Sequence, residues 1–170
     1  RGTYTIVVYG GGGLSYFTGR AGTLPDAPVD IHKLNRIGTF RLMWHPDHML
    51  RVGLESGWVH FYSYQTEGSG IKGEVNVTAV PLLFVASMPV RKRFNAFAGV
   101  GSYLVTSKLD YNGVVRNTVH GLGWMFAASY IQPLSKRLGI NTELKWLNVS
   151  GTKDASLSLQ LHLVWRALSW

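Results

Sequence analysis

The stretch MLRVGLESGWVHFY, Met49 to Tyr62, decides how this chain folds. Leu50, Val52 and Leu54 alternate with Arg51, Gly53 and Glu55. Successive side chains leave a strand on opposite faces, so alternation of this kind marks a strand with two unlike sides. One side is oily. The other carries full charges and glycine. The fold turns on which side lies inside.

The same period of two runs along the whole chain. Eight strands are expected, at 3–16, 34–44, 49–63, 73–87, 94–106, 118–131, 137–149 and 156–168. The connectors fall into two alternating sets. HPDH, MPVRK and QPLSK are tight, and each holds a proline that presets a turn. TGRAGTLPDAPVD, YQTEGSGIK, SKLDYNGVVRN and SGTKDAS are longer and polar. In an up-and-down meander this puts every tight turn at one end and every long loop at the other. No linker or composition shift divides the chain, so residues 1–170 read as one domain.

Sorting each strand by parity gives an apolar and a polar set. Leu34, Phe40, Leu42 and Trp44 oppose Asn35, Thr39 and Arg41. Leu138, Ile140, Leu144 and Trp146 oppose Asn141, Glu143 and Lys145. Leu157, Leu159, Leu161, Leu163 and Trp165 oppose Ser158, Gln160, His162 and Arg166. Strand four reads the same way, with Val75, Val77, Ala79, Leu83 and Val85 outward against Glu74, Asn76 and Thr78. A soluble sandwich would show water a polar face rich in Lys, Glu and Asp. Here that face holds few charges, and they nearly balance: Arg41, Arg51, Lys145 and Arg166 against Glu55, Glu74 and Glu143. The apolar set is tipped with Trp44, Trp124, Tyr130, Trp146 and Trp165, as expected at a membrane–water boundary.

The reading is therefore inverted from a soluble protein. The leucines face lipid and the charges face inward. A barrel suits this, because closure pairs every backbone group without water. The expected fold is all-β: a closed eight-stranded antiparallel up-and-down transmembrane β-barrel. Inside it, Arg41, Arg51, Glu55, Glu74, Glu143, Lys145, His162 and Arg166 are expected to form a hydrogen-bonded ion network that plugs the lumen, since unpaired burial would cost several kcal/mol each. Pairing of strands seven and eight around Lys153 would set Lys145 near Gln160 and Glu143 near His162.

Composition removes several functions. With no cysteine there is no disulfide framework and no thiolate chemistry. A net charge of +8 invites a nucleic-acid reading, but the cations do not line one recognition face. The densest clusters, Arg91, Lys92, Arg93 and Lys136, Arg137, sit in tight turns and read as a basic rim beside anionic headgroups. YGGGGLSY lacks the Lys-Ser/Thr and the helix of a phosphate-binding loop. His45, Asp47 and His48 on one tight turn are poorly placed to converge on a metal. Glu143 and His162 could make an acid–base pair, but no nucleophile is placed with them. No catalytic, cofactor-binding or metal-ligating set is expected.

LRVGLESGW, AVPLLFVASMPVRKRFNAFAGVGSYL and SKRLGINTELKWL carry a resemblance. The chain resembles the small eight-stranded outer-membrane β-barrels of Gram-negative bacteria, of the OmpA transmembrane-domain and OmpX type, and looks like such barrels of Bacteroidota. The resemblance covers nearly the whole chain. It implies residence in the bacterial outer membrane, tight turns periplasmic and long loops extracellular, in contact with lipid and lipopolysaccharide. It further implies a non-enzymatic structural or accessory role beside a larger outer-membrane complex, with loops 18–33, 64–72 and 107–117 as contact surfaces. Two other classes stay open: a lipid-modifying barrel enzyme and a soluble lipocalin-like carrier. The His-x-Ser pair of lipid A deacylase barrels is absent, because Leu34, Tyr62, Leu122 and Val164 follow His32, His60, His120 and His162 at that spacing. The family's chains usually end in an aromatic, and Trp170 fits, but out of phase with Trp165; either a bulge intervenes or the end trails. Pro81, in a wall with no free edge, is expected to sit at a local irregularity.

Overall fold

The alternating segments form long antiparallel strands wound into a tube. The computed structural model describes residues 4–18, 31–32, 34–46, 49–68, 71–110, 114–150 and 154–169. The strands are β1 (Thr5–Phe17), β2 (Leu34–His45), β3 (Arg51–Gly68), β4 (Ile71–Arg91), β5 (Phe94–Asp110), β6 (Val114–Pro133), β7 (Leu138–Ser150) and β8 (Asp154–Ser169). A two-residue piece, Ile31–His32, pairs with Tyr64 and Ser63 of β3. Each long strand pairs with its neighbours in the chain, and β8 returns to β1 from Thr5↔Ser169 to Phe17↔Ser156. The sheet is closed. The glycine run of β1 lies on this closing seam. A Cβ at Gly11 or Gly13 would run into the β8 carbonyls of Leu161 and Leu159, so this close approach needs glycine.

The oily face is outside. Leu157, Leu159, Leu161 and Leu163 are 38–59% exposed, while Ser158, Gln160 and His162 between them are about 1% exposed. Leu14, Phe40, Leu42, Leu54, Phe84, Val100, Phe126 and Leu144 continue this belt around the wall. So continuous an apolar surface is matched to hydrocarbon rather than water. Leu50 and Leu54 of the opening stretch lie in it, and Glu55 is buried within.

Strand β4 departs from the expected faces. Val75, Val77, Ala79, Leu83 and Val85 point inward and are buried; Val80, Leu82 and Phe84 face outward. The segment AVPLLFVA is apolar on both faces, so parity had no polar side to fix it. The lumen is accordingly lopsided. β4, β5 and β6 fill it mainly with Leu83, Val85, Phe97, Tyr103 and Met125, while β2, β3, β7 and β8 supply its fully buried charges and, Asn95 of β5 aside, its amides.

The irregularities have local causes. The β3–β4 register runs from Arg51↔Ser87 to Ser56↔Leu82 and resumes at Val59↔Ala79, skipping the stretch that faces Pro81. Proline has no N–H to donate there. A bulge follows between His60 and Tyr62. A second bulge sets Val7↔Arg166 beside Ile6↔Leu168, so Trp165 and Leu168 both face outward; Trp170 lies outside the described residues. Pro89 sits at a bulge just before the last β4–β5 pair, Arg91↔Phe94, and Pro133 ends the β6–β7 ladder, so neither forms the turn itself.

The expected loops 64–72 and 107–117 are mostly ladder. β3 and β4 pair up to Gly68↔Ile71, and β5 and β6 up to Asp110↔Val114. Most of loop 18–33 lies outside the described residues. β4 is 21 residues long and β6 is 20, against 13 for β7. Since about 9–11 tilted residues cross a bilayer, β3–β6 project well past the belt at the long-loop end. β7 pairs with β6 only up to Leu122↔Ser150, so residues 114–121 of β6 stand beyond it.

The belt makes a depth-dependent prediction. Leu161→Arg, at the middle of β8, is expected to destabilise the barrel by about 2–4 kcal/mol, and Leu34→Arg, near a strand end, by about 0–1 kcal/mol. Reversible urea unfolding in lipid vesicles measures both; equal small effects would contradict the orientation.

Candidate functional site

The lumen is crossed by four charged side chains from three strands. Arg41 of β2 and Glu55 of β3 are direct cross-strand partners, and Glu143 and Lys145 project inward from β7. All four are 0–2% exposed. Arg41 Nε donates to Glu55 Oε2 at 2.6 Å, and Nη2 also contacts that oxygen. The other edge of the guanidinium takes Glu143 in a fork, Nη1 to Oε2 at 2.8 Å and Nη2 to Oε1 at 2.9 Å. Lys145 Nζ donates to Glu55 Oε1 at 2.7 Å and stands 3.3 Å from Glu143 Oε1. Two cations and two anions thus form a neutral ring, and each carboxylate meets both cations.

Neutral groups extend the ring. Lys145 Nζ donates to Thr39 Oγ1 at 3.3 Å, and Thr39 donates to Gln160 Oε1 at 2.7 Å. His162 Nε2 lies 3.1 Å from that same Gln160 oxygen, and Asn141 Nδ2 lies 3.2 Å from His162 Nδ1. The asparagine amide donates to Nδ1, so the ring proton sits on Nε2 and is given to Gln160. On its other side Arg41 lies over the Phe97 ring, 4.2 Å from its centroid, with Tyr9 at 5.6 Å. Cation–π contact and bidentate pairing together fix the guanidinium.

The other charged residues assigned inward by sequence stand apart from this ring. Arg51 is half-buried toward the tight-turn end, where its Nη1 donates to Asn95 Oδ1 at 3.1 Å. Arg166 is exposed at the same end, because it is the last inward position before the β8 bulge. The Glu74 side chain lies outside the described residues. The β7–β8 register also differs from expectation: Lys145 sits opposite Ser158, Glu143 opposite Gln160, and Asn141 opposite His162. Glu143 and His162 therefore make no acid–base pair. The carboxylate is held by Arg41 and Lys145, and the imidazole lies between Asn141 and Gln160.

On the outer wall, Trp44, Trp146 and Trp165 are exposed and Trp124 and Tyr130 partly so. Trp44, Tyr130 and Trp165 lie toward the tight turns, where Tyr4 stacks on Trp44 at 5.9 Å and Phe94 meets Tyr130 edge-on at 5.1 Å. Trp124 and Trp146 lie higher, with Phe126 packed on Trp124. Leu138 is opposite Trp165, and Trp146 is eight residues further along β7; at about 3.3 Å per residue and the usual tilt, this separates the two levels by about 20 Å. Arg91, Lys92 and Arg93 occupy the β4–β5 turn region, and Lys136 and Arg137 the β6–β7 turn. Arg93 Nη1 donates to Tyr130 Oη at 3.0 Å and Gln132 Oε1 at 3.2 Å. Among the described residues no group of His, Asp and Glu is arranged to hold a metal.

Closure, an apolar outer belt and a lumen crossed by paired charges define a small transmembrane β-barrel of outer-membrane type. Solved structures share the fold. The attachment invasion locus protein Ail of Yersinia pestis, solved with the heparin analogue sucrose octasulfate, superposes with a TM-score of 0.55 at 10% identity, covering 100% of this chain and 99% of Ail. Another Ail structure gives 0.54 at 11% identity, with the same coverage of each chain. Neisserial surface protein A aligns over 96% of each chain at 12% identity and a TM-score of 0.43. No family model matches the chain, and no curated protein does.

Breaking the ring at one point should cost more than replacing it whole. Glu143→Ala leaves Arg41 and Lys145 short of a carboxylate and is expected to destabilise by about 3–5 kcal/mol. The combined Arg41→Met, Glu55→Leu, Glu143→Leu, Lys145→Met variant should recover most of that loss. Urea midpoints in vesicles compare them; a quadruple variant weaker than the single one would show that the charges stabilise as a set.

Proposed function

We propose that this protein is a non-enzymatic outer-membrane barrel with a structural or accessory role, serving as a partner of a larger outer-membrane complex. The observation that carries this reading is the buried ion ring across the lumen. Arg41, Glu55, Glu143 and Lys145 bind one another across the barrel and so leave no free acid–base pair among them, and in this reading their ring blocks an ion path. What remains available is the surface: the lipid-facing wall, the basic rim and the projecting strands.

In this reading the tight turns lie in the periplasm and the projecting end outside the cell. Lipid and lipopolysaccharide cover the wall. The projecting end is the contact surface, and residues 115–120 of β6 are exposed on both faces there. This strand end is paired with β5 on one side, and its other edge, without a ladder partner among the described residues, offers backbone donors and acceptors to a partner.

Two measurements test the reading. In planar bilayers the purified barrel should give no steady single-channel conductance. In intact cells a photo-crosslinking residue at Val115 or Val119 should yield one discrete adduct with another outer-membrane protein, and the same residue at Leu161 should yield none. Steady ion current, or the absence of an adduct from the projecting strands, would overturn it.

A further inference from the structure

The tight-turn mouth of the barrel holds a concentration of cations that the lumen network does not use. A cavity of about 90 Å³ opens there, and Arg51, Arg137, Arg166 and His45 are among the residues that line it. These side chains come from β3, the β6–β7 turn, β8 and the end of β2. Their placement is built by the backbone. Arg166 N donates to Arg137 O at 2.8 Å, which ties β8 to the turn, and Asn95 holds Arg51 at 3.1 Å. Arg166 also borders two neighbouring hollows, one reaching Lys92 and Arg93 and the other Lys136. Among the described residues, no Asp or Glu lines any of the three.

A second observation points to a missing partner. His45 Nε2, on the wall of the same cavity, is buried and has no hydrogen-bond partner among the described residues. A buried imidazole nitrogen beside guanidinium groups without a carboxylate can, in its N–H form, donate to the oxygens of an anion placed among them. In the lumen ring the cations are matched: Arg41 and Lys145 have two carboxylates between them. At the mouth the matching charge is not supplied by the described residues.

The geometry points to a binding site for a phosphoryl oxyanion in the tight-turn mouth, held by Arg51, Arg137 and Arg166 with His45 at its floor. Guanidinium forks match phosphate oxygens in pairs. Three arginines arriving from three elements supply more donors than the two oxygens of a carboxylate accept. A tetrahedral phosphoryl group has enough oxygens for all three. Inorganic phosphate and the phosphate of a lipid headgroup share this chemistry. The hollow bordered by Thr5, Leu168 and Ser169 opens the site toward the lipid-facing rim.

The test uses the folded full-length barrel, with heat-modifiable migration on gels confirming folding of each variant. Inorganic phosphate and pyrophosphate are titrated calorimetrically into detergent-solubilised protein. Separately, barrels in nanodiscs of phosphatidylcholine with or without phosphatidylglycerol are compared by native mass spectrometry for retained lipid. Binding in either arm supports the site, and the arm that responds identifies the source. Arg166→Gln and Arg51→Gln should each weaken binding about tenfold or more, the effect of removing a charge-assisted hydrogen bond. Lys92→Gln with Lys136→Gln, on the rim, should change it less than about threefold. Asp47→Asn should leave binding intact or strengthen it. No binding in either arm would overturn the site. So would an equal loss in the arginine and lysine variants, which is the signature of a diffuse rim, or loss of binding in Asp47→Asn.

Discussion

A strand that crosses hydrocarbon must find a partner for every backbone N–H and C=O, and in this chain it finds them only by closing the sheet. The return of β8 to β1 over the length of both strands supplies that closure. Most other features follow from it. A closed tube of eight strands has a narrow inside, so its inward side chains must pack against one another. Its outward side chains meet lipid, so they must be apolar. The four-glycine run of β1 serves the closing step directly, because Gly11 and Gly13 let β1 approach the β8 carbonyls where any side chain would collide.

Inside, two kinds of filling divide the lumen. On β4–β6 it is an ordinary apolar core, with Leu83, Val85, Phe97, Tyr103 and Met125 buried. On β2, β3, β7 and β8 it is an ion ring with an amide tail. The two halves meet at Arg41, whose guanidinium is paired with two carboxylates along its edges and covered by Phe97 on its face. Paired burial of this sort adds little net stability compared with apolar filling. Its structural effect is registry: each charge must sit opposite its partner, which ties the β2–β3 hairpin to β7 across the barrel.

Where one face of a strand is polar, its orientation can be read directly from the residues. In β7 and β8 the leucines alternate with Asn141, Glu143, Lys145, Ser158, Gln160 and His162, and both faces lie as that alternation implies. In β4 the signal is lost, since Ala79 to Ala86 is apolar on both sides and the inward valines can be told from the outward Leu82 and Phe84 only in three dimensions. Glu55 and Glu143 are legible as inward charges, but which cation each meets depends on register, and the β7–β8 pairing is set by a turn whose geometry composition does not specify. Arg51 and Arg166 show a further limit. They share parity with the ring but lie near strand ends, where depth along the barrel axis, not facing, decides whether a charge is enclosed. The inward aromatics Tyr9 and Phe97, which cover Arg41, carried no signal beyond their parity.

The central claim is the direction of the two faces of the wall. The absence of native cysteine makes it directly measurable by single-cysteine spin labels along β8 in lipid vesicles. Labels at Leu159, Leu161 and Leu163 should collide freely with oxygen, which concentrates in the acyl chains, and poorly with a water-soluble nickel chelate. Labels at Ser158, Gln160 and His162 should be immobile and shielded from both. Oxygen contact that peaks at the even positions, or leucine sites protected from oxygen, would contradict the account.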